Sequence, residues 1–268
     1  MILLVKHAGN HSNRLFQNIH FEAFALENKL IFLNTTFNDF RKIFNLNIFF
    51  HNKFLSRFIK KIIRMFGFRV LNFTDQFYDT SQPDFSILKN SLVFVEGWSF
   101  RVDYLTEKYK NHFQNKYSIS DNCIRRYRYR SINNYSKISE KIDQSEICIG
   151  IHIRRGDYKE WLGGIHYYDD RVYINAMNAV KELFPNKKIQ YIMFSNEKIS
   201  LNDSENVIIS KNEWYIDHYL MSKCDYLIGP PSTFTMWASY ISDKARYFHI
   251  MNETHMPNKL ADFFVCNG

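Results

Sequence analysis

The chain has 268 residues, 46% hydrophobic and 23% charged, which suits two small packed domains with a real core and excludes a disordered or fibrous protein. No apolar run approaches the roughly 20 residues of a membrane span, and "MILLVKHAGNH" turns polar too early for a signal peptide, so a cytoplasmic protein is expected. Cys123, Cys148, Cys224 and Cys266 share no short spacing, which argues against a zinc site or a disulfide framework, and the formal charge is +8.

In chain order, "MILLVKH" predicts a buried strand, "AGNHSN" a polar loop, and "RLFQNIHFEAFALENK" a helix with Leu15, Ile19, Ala23 and Leu26 at helical spacing. "LIFLN" predicts a second strand, and this order suggests a parallel α/β unit. Between Asp39 and Asp75 there is no acid, while Arg41, Lys42, Lys53, Arg57, Lys60, Lys61, Arg64 and Arg69 account for the whole positive excess. So local a charge is not a nucleic-acid footprint, and no nucleic-acid partner is expected. Within it, "KFLSRFIKKIIRMFGF" predicts a helix with Leu55, Phe58, Ile59, Ile62, Ile63 and Phe66 on one face and the bases on the other. Two readings fit this helix equally: a core helix with a solvated basic face, or a helix lying on an anionic membrane surface.

From Ser99 to Ser145 the chain is polar and helical in places, with the arginine-rich run "RRYRYR". It reads as a connector with a boundary near residue 140, giving domains 1–140 and 141–268. Strand and helix then alternate more clearly. "ICIGIHIR" predicts a strand, "RVYINAMNAVKELF" a helix, "QYIMFS" a strand and "YIDHYLMSKC" a helix. "DYLIG", "STFTMWASYI" and "RYFHIM" add a strand, a helix and a strand. Two α/β halves facing each other is the economical architecture.

The stretch "GIHIRRGDY" carries chemistry. Side chains alternate along a strand, so Ile147, Ile149, Ile151 and Ile153 share one face, and Cys148, Gly150, His152 and Arg154 the other. His152 and Arg154 therefore point together at the carboxyl end, where open α/β sheets bind ligands, with Gly150 leaving room beside them. A guanidinium fork suits a phosphate, and Gly156 lets Asp157 reach back to hold an arginine, which we expect to be Arg155. In "DYLIGPPSTFTMW" a strand ends at Gly229 and Ser232 caps the next helix, offering N–H groups and the hydroxyls of Ser232, Thr233 and Thr235 to a second phosphate. Asp169 and Asp170 of "YDDR" read as favourable charge at a helix start rather than as a metal pair.

These residues carry a resemblance. "HIRRGDY", "YIMFSNE" and "DHYLMSKCDYLIGPPSTFTMWASY" resemble the α-1,2-fucosyltransferases of glycosyltransferase family 11, within the group that shares an His-x-Arg-Arg-x-Asp motif. "GNHSNRLFQ", with Asn10 and Arg14, looks like the family's N-terminal glycine-rich loop, with fewer glycines. The resemblance implies a GT-B fold, two Rossmann-like domains facing a cleft, the N-terminal one on the acceptor side and the C-terminal one holding the nucleotide sugar. It implies GDP-fucose as donor, a glycan acceptor, no cofactor, no metal, and inversion at the anomeric carbon. Arg154 would take the β-phosphate and stabilise the leaving group. His152 and Asp217 would lie near the nucleoside, and Ser232, Thr233 and Phe234 would wrap the diphosphate. Asn196 and Glu197 stand where relatives often carry paired aspartates. His11, Glu22, Asp39 and Glu96 are the candidate proton acceptors of the N-terminal half, and nothing in the sequence chooses among them. A lipid-linked acceptor would suit a basic helix at the inner face of a membrane.

Overall fold

The computed structural model describes residues 1–44, 46–47, 51–74, 85–89, 92–128, 134–201 and 203–268. Asp75, which bounds the acid-free stretch, and Tyr129 and Arg130 of the arginine-rich run lie outside the described residues. The chain forms two compact units, Met1–Cys123 with Asn267–Gly268, and Ile124–Cys266. The division falls earlier than residue 140 because the helix Tyr135–Gln144 buries Tyr135, Ile138 and Ile142 in the core of the second unit.

In the first unit, β1 (Ile2–Lys6) leads into α1 (His11–Glu27), β2 (Phe32–Asn34), α2 (Lys53–Phe66), β3 (Val70–Asn72) and β4 (Val93–Glu96). Three short helices follow, α3 (Asp103–Lys108), α4 (Lys110–Lys116) and α5 (Asp121–Arg128), the last crossing into the second unit. The strands pair in parallel in the order β2-β1-β4-β3. Gly9, at φ 62°, turns the chain so that the Asn10 carbonyl accepts from the Arg14 N–H, and α1 starts within the predicted loop. β3 and β4 were not expected, since strands of three and four residues show too little alternation to be read.

Two helices of this unit depart from the sequence reading. Along α1, Ser12, Arg14, Gln17, Asn18, His20 and Glu22 are all buried, so the helix is enclosed well beyond its apolar stripe. Most of its polar groups are matched: Gln17 donates to the Gly97 carbonyl at 2.7 Å, and Asn18 receives Asn34 at 2.9 Å, while Arg14 Nε has no hydrogen-bond partner. On α2 the single expected apolar face splits. Leu55, Ile59 and Ile63 pack on Leu3, Val5 and Phe94 of the sheet, whereas Phe58 and Phe66 face solvent.

The second unit begins with α6 (Tyr135–Gln144) and β5 (Ile147–Ile153), then α7 (Asp170–Leu183), β6 (Ile189–Ser195), β7 (Val207–Ile209), α8 (Trp214–Lys223), β8 (Tyr226–Gly229), α9 (Thr233–Tyr240) and β9 (Arg246–His249). Its five strands are parallel, in the order β7-β6-β5-β8-β9. The alternation along β5 is as read. Ile149, Ile151 and Ile153 enter one core with Val172, Ala176 and Val180 of α7, and Cys148 enters the other with Ile216 and Leu220 of α8. No helix of the described residues is long and apolar enough to cross a membrane.

Candidate functional site

Strand order locates the site. From β5 the chain moves outward through β6 to β7, then returns to the other side of β5 for β8 and β9. The order therefore reverses between β5 and β8, and in open parallel sheets the crevice outside the carboxyl ends at such a point takes ligands. His152 is the last residue but one of β5 on one side of this point, and the loop Gly229–Ser232 leaves β8 on the other.

His152 is 4% exposed, and its Nδ1 lies 2.9 Å from the Thr235 hydroxyl of α9. Burial, with the nearby Arg154 charge and His249, pushes its pKa down to about 3, so the ring is neutral at ordinary pH. A Cβ on Gly229 would stand 2.6 Å from the His152 carbonyl oxygen, so the approach of β8 at this level requires glycine. Gly150 plays no such part. The space beside it is filled by Leu227, Cys224 and Phe194, so it serves core packing instead of leaving room for a ligand. Phe234 lies between two histidines, its ring centroid 5.1 Å from His152 and 3.8 Å from His218. It braces the histidine at the strand end.

The two arginines divide their work, and the division reverses one expectation. Gly156, at φ 61°, turns the backbone so that Asp157 meets Arg154, whose Nη2 donates to Oδ2 at 3.0 Å and stands 2.7 Å from Oδ1. The Arg154 guanidinium sits 5.4 Å over the Tyr158 ring, and the Tyr158 hydroxyl donates to the Pro231 carbonyl at 2.5 Å. This ties the turn after β5 to the loop after β8. The Arg154 side chain remains 20% exposed. Arg155 does not pair with Asp157. Strand alternation sends it to the α7 face, where Nη1 donates to the Tyr168 carbonyl at 2.6 Å and Nη2 pairs with Asp170. Its backbone N–H donates to Asn196 Oδ1 at 2.8 Å, so Asn196 fixes the turn. Asp169 caps α7 by accepting from the Arg171 N–H at 2.8 Å, and Asp170 also accepts from the Ser200 N–H at 3.1 Å.

Ser232 caps α9 as read, accepting from the Phe234 N–H at 3.2 Å, with Thr233 the first residue of the helix. Further along the carboxyl edge, Asp217 is buried on α8 and accepts from the Ser210 hydroxyl at 2.5 Å. Burial pushes its carboxyl up to about 8; the Ser210 hydrogen bond pulls against this and the Glu213 charge adds to it. Beside it, Asn212 donates to Ser210 at 2.8 Å while its buried Oδ1 has no hydrogen-bond partner. The Nε2 of His249, at the end of β9, is buried and likewise unpartnered. A carboxyl short of donors and two unmatched polar atoms leave capacity for a ligand's own polar groups. Sequence reasoning missed Tyr158, Ser210, Asn212, His218 and His249. Tyr158 and His218 stand inside the quoted motifs and could have been found there; the others carry no local signal.

Asn10 and Arg14 belong to the first unit. Asn10 is exposed at the start of α1, without a side-chain cap bond. Arg14 is 7% exposed: its two Nη atoms each donate to Asp39 at 2.7 Å, and Nη2 also meets the Thr36 carbonyl at 2.7 Å. The guanidinium stacks 4.4 Å over Phe40. Of the candidate proton acceptors in this unit, Glu22 is buried; burial works to raise its carboxyl, but His112, Lys116 and Tyr117 outweigh it and hold it at about 2. So strongly held a carboxylate is a poor base. Asp39 is engaged with Arg14, and Glu96 lies 3.9 Å from Lys6. Asp103, at the start of α3, is an exposed carboxyl raised by partial desolvation against the pull of Arg101, a profile the sequence did not indicate. No group of three or more His, Cys, Asp or Glu side chains among the described residues could hold a metal ion.

Solved structures share this fold. A mutant of FUT1 from Arabidopsis thaliana in complex with GDP superposes with a TM-score of 0.58 at 12% identity, covering 94% of this chain and 71% of that one. Fucosyltransferase NodZ from Bradyrhizobium gives a TM-score of 0.58 at 12% identity, over 95% of this chain and 96% of that one. NodZ α-1,6-fucosyltransferase co-crystallized with GDP gives 0.56 at 12% identity, over 92% and 94%. At such identities the likeness is one of fold. No curated protein sequence matches the chain at a significant level. The profile of glycosyl transferase family 11 matches residues 57–259, from within α2 to beyond β9, and by that match over well over half its length the chain belongs to glycosyl transferase family 11.

Proposed function

We propose that the protein transfers fucose from GDP-fucose to a hydroxyl of a glycan, with inversion, without a divalent metal, and in α-1,2 linkage, within the synthesis of a surface polysaccharide. The observation that carries the reading is Arg154, oriented by Asp157 and Tyr158, next to a neutral His152 where the second sheet reverses its strand order. Family membership and the GDP bound by two of the structural neighbours support it. In this reading the second unit holds the donor and the first serves the acceptor.

The acceptor oxygen attacks the anomeric carbon as the bond from that carbon to the GDP oxygen breaks, and the acceptor proton passes to a base or to water. Charge develops on the leaving diphosphate. Arg154 and the N–H groups at the start of α9 meet that charge, the work a metal ion performs in other transferases. Asp217 and the unpartnered Asn212 Oδ1 accept from the donors of the guanine edge, and Arg155, Asn196 and Phe234 keep the strand end in place.

A thermal-shift screen with GDP, UDP, GDP-fucose and GDP-mannose tests the donor. Stabilisation by the guanine nucleotides and not by UDP is expected, with GDP-fucose alone supporting transfer. Transfer should persist in excess EDTA, and an α-1,2-specific fucosidase should remove the product's fucose. Equal stabilisation by UDP would defeat the donor assignment, and activity that EDTA abolishes and manganese restores would defeat the metal-free one.

A further inference from the structure

Of the 14 residues of α2, only Ser56 and Ile59 are buried. Phe54 is 81% exposed, Phe58 60% and Met65 62%. These three fall at helical spacing on one stripe, apart from Leu55, Ile59 and Ile63, which hold the helix to the sheet. On either side of the left-handed cap at Gly67, Phe66 and Phe68 are exposed as well, their ring centroids 6.0 Å apart. Lys53, Arg57, Lys60, Lys61 and Arg64 are all exposed along the adjoining face, Arg69 follows, and α2 contains no acid.

A core face already satisfied, a second apolar stripe in water and a wholly basic flank together describe a helix that lies in an interface plane. The charge selects the occupant. An anionic bilayer offers phosphates to the bases and an acyl boundary to the aromatic rings, which a nucleic acid or an acidic protein face does not offer together. An open hollow of about 260 Å³ beside the same helix is lined by Lys6, Lys60, Arg64 and Glu96 together with the apolar Val5, Ile63 and Val70, and its excess of bases suits an anionic headgroup.

We propose that α2 docks the protein on an anionic lipid surface, with Phe54, Phe58 and Met65 at the headgroup–acyl boundary and the bases on lipid phosphates. The inference stands without the reaction proposed above; together with it, a lipid-linked acceptor would be met at the surface where the enzyme sits.

The test sediments the full chain, without nucleotide, with vesicles of phosphatidylcholine alone or of phosphatidylcholine and phosphatidylglycerol in equal parts. The protein should pellet with the mixed vesicles and stay in solution with the neutral ones. Raised salt should weaken partition about tenfold. The pairs Phe54→Ser with Phe58→Ser, and Arg57→Glu with Lys61→Glu, should each lower it about tenfold or more, with unchanged melting temperature. Transfer to a soluble acceptor, measured on the same variants, should equal that of the parent, so a failed vesicle result and a failed transferase reading are told apart. No sedimentation with mixed vesicles overturns the proposal, as does unchanged partition of either variant. So does a dimer that the phenylalanine pair abolishes, or tighter binding to RNA than to the vesicles.

Discussion

The two units partner their ionisable groups differently. In the first, Arg14 has both Nη atoms on Asp39 and one also on the Thr36 carbonyl, with only Nε unpartnered, and Glu22 receives Asn18, Tyr117 and Lys116. In the second, among the described residues, Arg154 has only Asp157 as a carboxylate partner, and the Asp217 carboxyl has only the Ser210 hydroxyl. A charge whose partners all come from the chain holds the fold; a charge left short of partners has room for a ligand's groups. The first unit therefore spends its polar residues on architecture, and the second keeps some in reserve.

The contrast breaks most sharply at Arg154. Arg154→Lys keeps a cation but loses the fork, so turnover should fall about 100- to 1,000-fold while GDP affinity falls far less. Single-turnover rates and GDP titration separate the two, and near-normal turnover would remove Arg154 from the chemistry. Arg155→Met, one residue on, should show the opposite pattern. It leaves the partly buried Asp170 with the Ser200 N–H but without its guanidinium, at a cost of about 2 kcal/mol, so the melting temperature should drop by several degrees. An Arg155→Met protein that melts normally but cannot bind GDP would place Arg155 in the site rather than in its support.

Glu22 sharpens the comparison in the first unit. Its folded pKa of about 2 lies below its ordinary 4.5, so its contribution is present above pH 4.5 and is lost as pH falls toward 2. Glu22→Gln should cost about 3 kcal/mol at neutral pH, and its denaturation midpoint should converge on that of the parent through that acid range. A constant gap across the range would rule out the charge as its source.

Asp217 gives the smallest and most specific signal. Its carboxyl stands at about 8, so near neutrality the free site is mostly protonated. Guanine donors favour the carboxylate, so GDP binding should release up to about one proton and tighten from about pH 6 to about pH 9. Calorimetry in buffers of different ionisation enthalpy measures this. Asp217→Asn should abolish the buffer dependence, and should be the more stable protein toward pH 8, since the raised pKa makes the native parent lose stability as pH rises from 3.8 to about 8. Binding without proton exchange would move Asp217 away from the base.

Much of the second unit was legible in the sequence because its elements are periodic and long. Seven buried or half-buried residues of β5 alternate between two cores, and α7 repeats Val172, Ala176 and Val180 on one side. The motif residues His152, Arg154, Ser232 and Asp217 do come to one sheet edge. The first unit was less legible. β3 and β4 are too short to show a period, α1 buries six polar side chains, and α2 exposes four large apolar ones. In both helices composition suggests a face, and only the neighbours decide whether that face is covered.

The amino-acid order alone determined the alternation along β5, the glycine turn after Arg155, the Ser232 cap and the concentration of positive charge in one segment. These are local, set by backbone geometry within a few residues and by the side chains themselves. Tertiary structure decided which arginine Asp157 takes, that Arg155 reaches Asp170, that Thr235 meets His152, and that the strand order reverses between β5 and β8. It also decided that Arg14 is enclosed and Phe54 is not. Such pairings join residues from different elements, and a side chain's availability depends on what packs around it.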